Sequence, residues 1–411
     1  MKKIIVRGPA LSNSGYGEQT RFALRALRQA EEKYDIYLIN TSWGTTSWLV
    51  DNNEEREWID SILQKTIAYT QTRRDFDLSL QVTIPAEFEK LAPYNIGYTA
   101  GIETTKMSAQ WLQKTFVVDK IIVPSTHSKN VMETSNWSYQ DPRTNQHGIL
   151  KCERPVEVVS FPVKQIEPEP LDLKLSTDFN LVAVAQWGAR KNLNSTIEWF
   201  VEEFKDNSDV GLIVKTQISK NCLLDRETCV MRMKQVLSEY ADMKCKVYLL
   251  HGALSEGQLT SLYQNKTVKG IVSTTHGEGF GLPLFEAAYN GLPVVATNWS
   301  SYLDFLKFPT KDKKSGKEKI KTGFLKVDYR LANIPAEHVW ENVIIPESQW
   351  AYADKASYKK AIRKLYKDHG VYKAQAKKLQ AYIAKELSEE NQYNRFIAAL
   401  EHQTEEIKVF G

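Results

Sequence analysis

The chain has 411 residues, 42% of them hydrophobic and 25% charged, with a formal net charge of +4. That length exceeds one ordinary core and implies two domains, in the composition range of a globular protein. No run approaches the roughly 18 apolar residues of a membrane span, which excludes one. The opening Met1–Gly8 is too short an apolar run for a signal peptide and reads as a first strand. Cys152, Cys222, Cys229 and Cys245 lack paired C-x-x-C spacing, so free thiols in a reducing cytoplasm are expected rather than a disulfide or zinc framework.

Short apolar runs alternate with amphipathic helices, the pattern of parallel α/β sheets. Strands are predicted over 3–7, 34–40, 77–82, 94–99, 119–123 and 156–161. The helix between the first two carries Phe22, Leu24, Ala26, Leu27 and Ala30. The polar, proline-bearing stretch Val163–Pro170 reads as an interdomain linker. Alternation then restarts, with strands over 180–185, 210–215, 246–250, 270–274 and 293–297. A helix begins near Asn192, and residues 357–402 read as wholly helical. The expected domains are 1–165 and 178–385, each a Rossmann-like parallel sheet, facing a central cleft. Residues 386–411 are expected as a C-terminal helix packing back on the first domain. Clefts between such halves are where small ligands bind.

The segment His276–Thr297 is the most informative. It follows a predicted strand and precedes another, so its glycines fall on a strand-to-helix turn. There the backbone can approach a ligand, and the helix starting near Leu282-Pro283 offers unpaired amides and a positive dipole end suited to a diphosphate. Glu278 lies on the loop and Glu286 in the first turns of the helix, and a carboxylate can accept hydrogen bonds from sugar or ribose hydroxyls.

Glu278 and Glu286, separated by seven residues that begin Gly-Phe-Gly-Leu-Pro, resemble the E-x7-E signature of retaining family 4 (group 1) glycosyltransferases of the GT-B fold. The likeness runs on through Gly291–Thr297 to Leu306. The resemblance implies a nucleotide-sugar donor, UDP favoured and GDP the alternative, and a cytoplasmic enzyme that retains anomeric configuration. Glu286 would hold the ribose hydroxyls and Glu278 would sit by the transferred sugar. Gly279 and the amides of Phe280, Gly281 and Leu282 would line the sugar or diphosphate. The family carries an arginine five residues before Lys191, where this chain has Gln186; Arg190 or Lys215 would supply the missing charge. Arg190 also reads as a solvated residue at a helix start.

In the first half, Ser14, Gly15 and Gly17 sit between the first strand and helix and are expected at the cleft. Glu103 is the polar candidate after a later strand, where relatives place a histidine, and it reads equally as a helix N-terminal acid. His127, in a P-S-x-x-S turn resembling the family's, reads as a capping or packing residue. Asp75-Phe76-Asp77 matches a metal-binding D-x-D in letters but leads into a strand, so neither metal nor cofactor is expected. Residues 307–321 hold seven lysines and read as a solvated loop. The expected acceptor is a carbohydrate or glycolipid. The alternative reading of Lys307–Lys321 is a surface for an anionic acceptor, either hydroxymethylated DNA or a peripherally contacted membrane. Other readings are a nucleotide-sugar epimerase, a phosphorylase or a non-catalytic carbohydrate-binding module.

Overall fold

The computed structural model describes residues 1–50, 52–73, 75–140, 145–311 and 316–401. Its first half runs β1 (Lys2–Gly8), α1 (Gly15–Arg28), β2 (Tyr34–Asn40), α2 (Glu54–Thr70), β3 (Leu78–Val82), β4 (Tyr94–Tyr98), α3 (Ala109–Thr115), β5 (Lys120–Val123), α4 (Thr126–Thr134), β6 (Asn136–Gln140), β7 (His147–Lys151) and β8 (Val156–Val158). The second comprises β9 (Phe179–Val184), α5 (Leu193–Phe204), β10 (Val210–Thr216), α6 (Leu223–Val236), β11 (Lys246–His251), α7 (Glu256–Gln264), β12 (Val268–Ser273), α8 (Leu282–Tyr289), β13 (Val294–Thr297) and α9 (Leu303–Leu306). It continues through β14 (Lys307–Lys311), β15 (Glu318–Thr322), β16 (Leu325–Val327), β17 (Tyr329–Asn333), β18 (Gln349–Ala353), α10 (Lys355–Lys367), α11 (His369–Glu386) and α12 (Glu389–Leu400).

Each half holds a six-stranded parallel sheet, in the order β2-β1-β3-β4-β5-β8 and β11-β10-β9-β12-β13-β16. Helices cover both faces, so the strands are apolar without alternation; Ile4, Ile5 and Val6 in β1, or Leu181, Val182 and Ala183 in β9, are all buried. The chain is therefore α/β, built of two Rossmann-like sheets. Among the described residues no helix is long and apolar enough to cross a membrane.

Two crossings join the halves side by side. Residues 163–177, without helix or strand, lead from the first to the second, and the Val163 amide donates to the Leu387 carbonyl (2.7 Å) where the chain returns. Beyond that point α12 lies on α1, with Phe22 against Phe396 (5.2 Å between ring centroids) and Tyr393 (5.9 Å). Lys120 Nζ, buried under the sheet, donates to the Ala399 carbonyl (3.0 Å).

Some local expectations change. The stretch 357–402 is broken at Asp368 and at Leu387-Ser388, and residue 402 lies outside the described residues. The lysine-rich 307–321 is not a loop, because β14 and β15 pair antiparallel. Phe308 anchors that hairpin by burying itself and stacking on Tyr382 of α11 (5.4 Å). Lys313 and Lys314 lie outside the described residues.

Candidate active site

Parallel sheets leave a crevice where two neighbouring strands send their following loops to opposite faces, at the strands' carboxyl ends. In the second sheet this falls between β9 and β12. The loop after β9 carries Arg190 and Lys191, and the loop after β12 carries Thr274–Gly281. The sheet order thus brings together residues almost ninety positions apart.

Lys191 Nζ lies 2.6 and 2.8 Å from the two carboxylate oxygens of Glu278. Arg190 pairs with the same carboxylate at 3.2 Å and donates to the Gly277 carbonyl, while Thr275 Oγ1 adds a 3.0 Å hydrogen bond to Glu278. Burial opposes ionisation of Glu278, yet Lys191 and Arg190 outweigh it and hold the carboxyl at about 2. The Glu278 amide donates to Ser300 Oγ (2.8 Å), and Ser300 holds a left-handed φ of +92°. Gly281, also at φ +92°, turns the chain into α8, where Leu282 and Pro283 open the helix. Pro283 has no amide hydrogen and the Leu284 amide donates to the Gly281 carbonyl (3.0 Å), which leaves the Leu282 amide as the donor at the start of α8. Phe280 can contribute only its backbone, since its ring is buried against Phe161, Phe285 and Phe305.

Glu286 stands farther along α8, where it accepts from the Tyr263 hydroxyl (3.1 Å). Burial pushes its carboxyl up to about 7 against the pull of Lys164. Lys215, at the end of β10, is also half-buried; burial pushes its ammonium down while the charge of Glu286 opposes that. Gln186 is exposed and donates to the Ile218 carbonyl, so it adds no charge.

The first half closes over this site. Glu103 pairs with Arg190 at 2.8 Å, and Ser125 Oγ donates to the Gly279 carbonyl at 3.0 Å. The backbones touch: a Cβ on Gly279 would lie 1.7 Å from the Ala100 carbonyl oxygen, and one on Gly277 would lie 2.1 Å from that of Glu103. Tyr16 fixes this loop, its hydroxyl 2.9 Å from Thr99 Oγ1 and accepting from the Ala100 amide (3.2 Å). Ser14 caps α1 by accepting from the Gly17 amide. Gly15 has open space where a side chain would stand, whereas Gly17 is packed on the Ser12 carbonyl, so its smallness serves the turn. Burial pushes His127 down to about 4, and its ring meets Trp299 edge-on (4.9 Å), the environment of a packing residue.

Tyr16, Tyr263, Thr275 and Ser300 were not singled out in the sequence. Tyr16 carries a signal in its place between Gly15 and Gly17, and Ser300 in the likeness that runs on to Leu306. One metal-like cluster occurs among the described residues, Asp225, Cys229 and His251, whose ligand atoms lie within 4.8 Å of one another. Asp225 already accepts from the amides of Ile218, Ser219 and Lys220 and pairs with His251 (2.8 Å), so it braces a loop. Asp75 and Asp77 both hold Lys3, where β1 begins and away from the crevice.

Residues 237–308 match the family model of glycosyl transferases group 1. Anabaena Alr3699/HepE, solved in complex with UDP-glucose, is similar over 97% of this chain and 99% of that one, with 13% identity and a TM-score of 0.60. Sucrose-phosphate synthase from Thermosynechococcus elongatus is similar over 97% and 98%, with 13% identity and a TM-score of 0.57. The fold is GT-B. The chain also spans 61% of the length of the pneumococcal O-GlcNAc transferase GtfA, covering 84% of itself at 14% identity and a TM-score of 0.48. No curated protein sequence matches the chain. Within the GT-B frame, the group 1 segment contains Glu278 and Glu286, and Arg190 and Lys191 reach it from outside.

Proposed function

We propose that the protein is a glycosyltransferase that moves a sugar from a nucleoside diphosphate to an acceptor hydroxyl. UDP is favoured over GDP, and the anomeric configuration is retained. The observation that carries this reading is the convergence of Arg190 and Lys191 on Glu278 beside the start of α8, inside a group 1 segment. Fixed cations and a helix N-terminus suit a diphosphate, and carboxylates suit the hydroxyls on either side of it.

In this reading Arg190, Lys191 and the Leu282 amide at the positive end of α8 bind the diphosphate. Glu286 receives the ribose hydroxyls, with Tyr263 and Lys215 beside it. Glu278 orients the donor sugar and, through Lys191, holds the cation that meets the leaving group. The bond from the acceptor oxygen to the anomeric carbon forms on the face from which the diphosphate departs. The acceptor proton passes to the β-phosphate oxygen. The protein's contribution is positioning and preorganised charge, and the two cations do without a metal. The expected acceptor is carbohydrate or glycolipid.

The test is nucleoside-diphosphate release from a panel of UDP- and GDP-sugars, with oligosaccharides, glycolipid or hydroxymethylated duplex DNA as acceptor. Release that depends on one donor and rises with one acceptor supports the reading. No release from any donor with every acceptor overturns it.

A further inference from the structure

Arg190 and Lys191 bring two positive charges to the site, and Glu103 and Glu278 bring two negative ones. The side chains of all four are largely buried, at 20, 19, 24 and 12% exposure. Without a ligand the cluster is already neutral, so a diphosphate would add charge to a balanced, poorly hydrated site. One carboxylate has to leave.

The two are held very differently. Glu278 is fixed within its own half by both Lys191 contacts, by Thr275 and by its backbone bond to Ser300. Among the described residues Glu103 is ion-paired to Arg190 alone, and it comes from the other half. It meets the Nη2 edge of the guanidinium, while Nη1 faces Gly277 and Glu278. That edge is one the diphosphate oxygens would use, since the planar guanidinium binds phosphate and carboxylate through the same fork.

We propose that Glu103 is a placeholder for the donor diphosphate: the donor displaces its carboxylate from Arg190. The Glu103 carbonyl lies directly on Gly277, and the Ser125–Gly279, Thr126–Asp304 and Thr105–Gln349 hydrogen bonds also join the halves, so the carboxylate turns away by side-chain rotation while the main-chain contact is kept. Glu103 is thus a positioning residue that sets donor affinity. This inference rests on the glycosyltransferase reading.

The experiment is calorimetric titration of UDP, with GDP in parallel, into the wild type, Glu103→Gln, Arg190→Gln and the double variant. Loss of the competing charge in Glu103→Gln tightens UDP binding by about tenfold. In the Arg190→Gln background the same change has no effect, because the group competed for is gone. Glu103→Ala repeats the tightening if glutamine disturbs packing. Unchanged or weaker binding in both Glu103 variants overturns the placeholder and leaves the glycosyltransferase reading standing, as does an equal tightening without Arg190. Failure of all the proteins to bind either nucleotide removes both.

Discussion

Lys191 is chelated by Glu278, its ammonium 2.6 and 2.8 Å from the two oxygens of one carboxylate. A lysine held this way is preorganised, since its long side chain pays no ordering entropy when a ligand arrives. Lys191→Ala should lower turnover about a hundredfold, the usual size for a lost transition-state donor. It also leaves Glu278 half-paired in a largely buried site and should cost roughly 2 kcal/mol of stability. Steady-state kinetics and urea denaturation read the two effects separately, and wild-type turnover in this variant would remove Lys191 from the mechanism.

Glu286 titrates near neutrality because burial raises its carboxyl to about 7. An acid whose folded pKa is raised binds its proton more tightly in the fold. It adds stability that is complete below the unfolded carboxylate range and is lost as pH rises through 7. Its ionised form is the better acceptor for the ribose hydroxyls it is proposed to hold, so affinity for UDP should climb between pH 6 and 8, about one unit either side of that midpoint. Glu286→Gln should flatten both profiles. A wild-type affinity indifferent to pH over that window would contradict the assignment.

Gly279→Ala drives a methyl group into the Ala100 carbonyl, and no rotamer can relieve a clash with backbone. The halves must part, opening the buried contact of Phe161 with Phe280 between them (4.8 Å). Small-angle scattering should show a larger radius of gyration with unchanged circular dichroism. Scattering identical to the wild type would mean that the contact between halves is dispensable.

Phe396→Ala removes a fully buried ring that packs on Phe22 and Tyr98. The cost should be about 3–5 kcal/mol, borne by the first half although the residue lies near the other end of the sequence. Hydrogen exchange in β1 and α1 should rise while β9 and β10 stay protected. Uniform loosening of both sheets would show that the halves unfold as one unit.

The central strands were legible because burial on both faces leaves continuous apolar runs, as in Ile4–Val6 or Leu181–Val184, with turns between them. The donor-side loop was legible because glycine, proline and acid fall on one short segment, Gly277–Glu286. The hairpins β6–β7, β14–β15 and β17–β18 were not. Apart from β18, which buries Trp350 and Ala351, their strands are largely exposed and carry no continuous apolar run, with single anchors such as Phe308. Nor could the sequence show that Glu103 meets Arg190 or that Tyr16 meets Thr99. Those pairs depend on which strand ends lie side by side and on how the halves close.

The α12–α1 contact has a consequence for synthesis on the ribosome. α1 emerges early with Phe22 exposed on the face that Tyr393 and Phe396 will cover. The whole second half must be made before those residues appear, roughly twenty to seventy-five seconds later at ordinary elongation rates. Through that interval the nascent first half displays an apolar strip with no lid, a target for chaperones or for a neighbouring nascent chain. Order of translation and order of completion are therefore opposed: the half that is made first is the last to be finished.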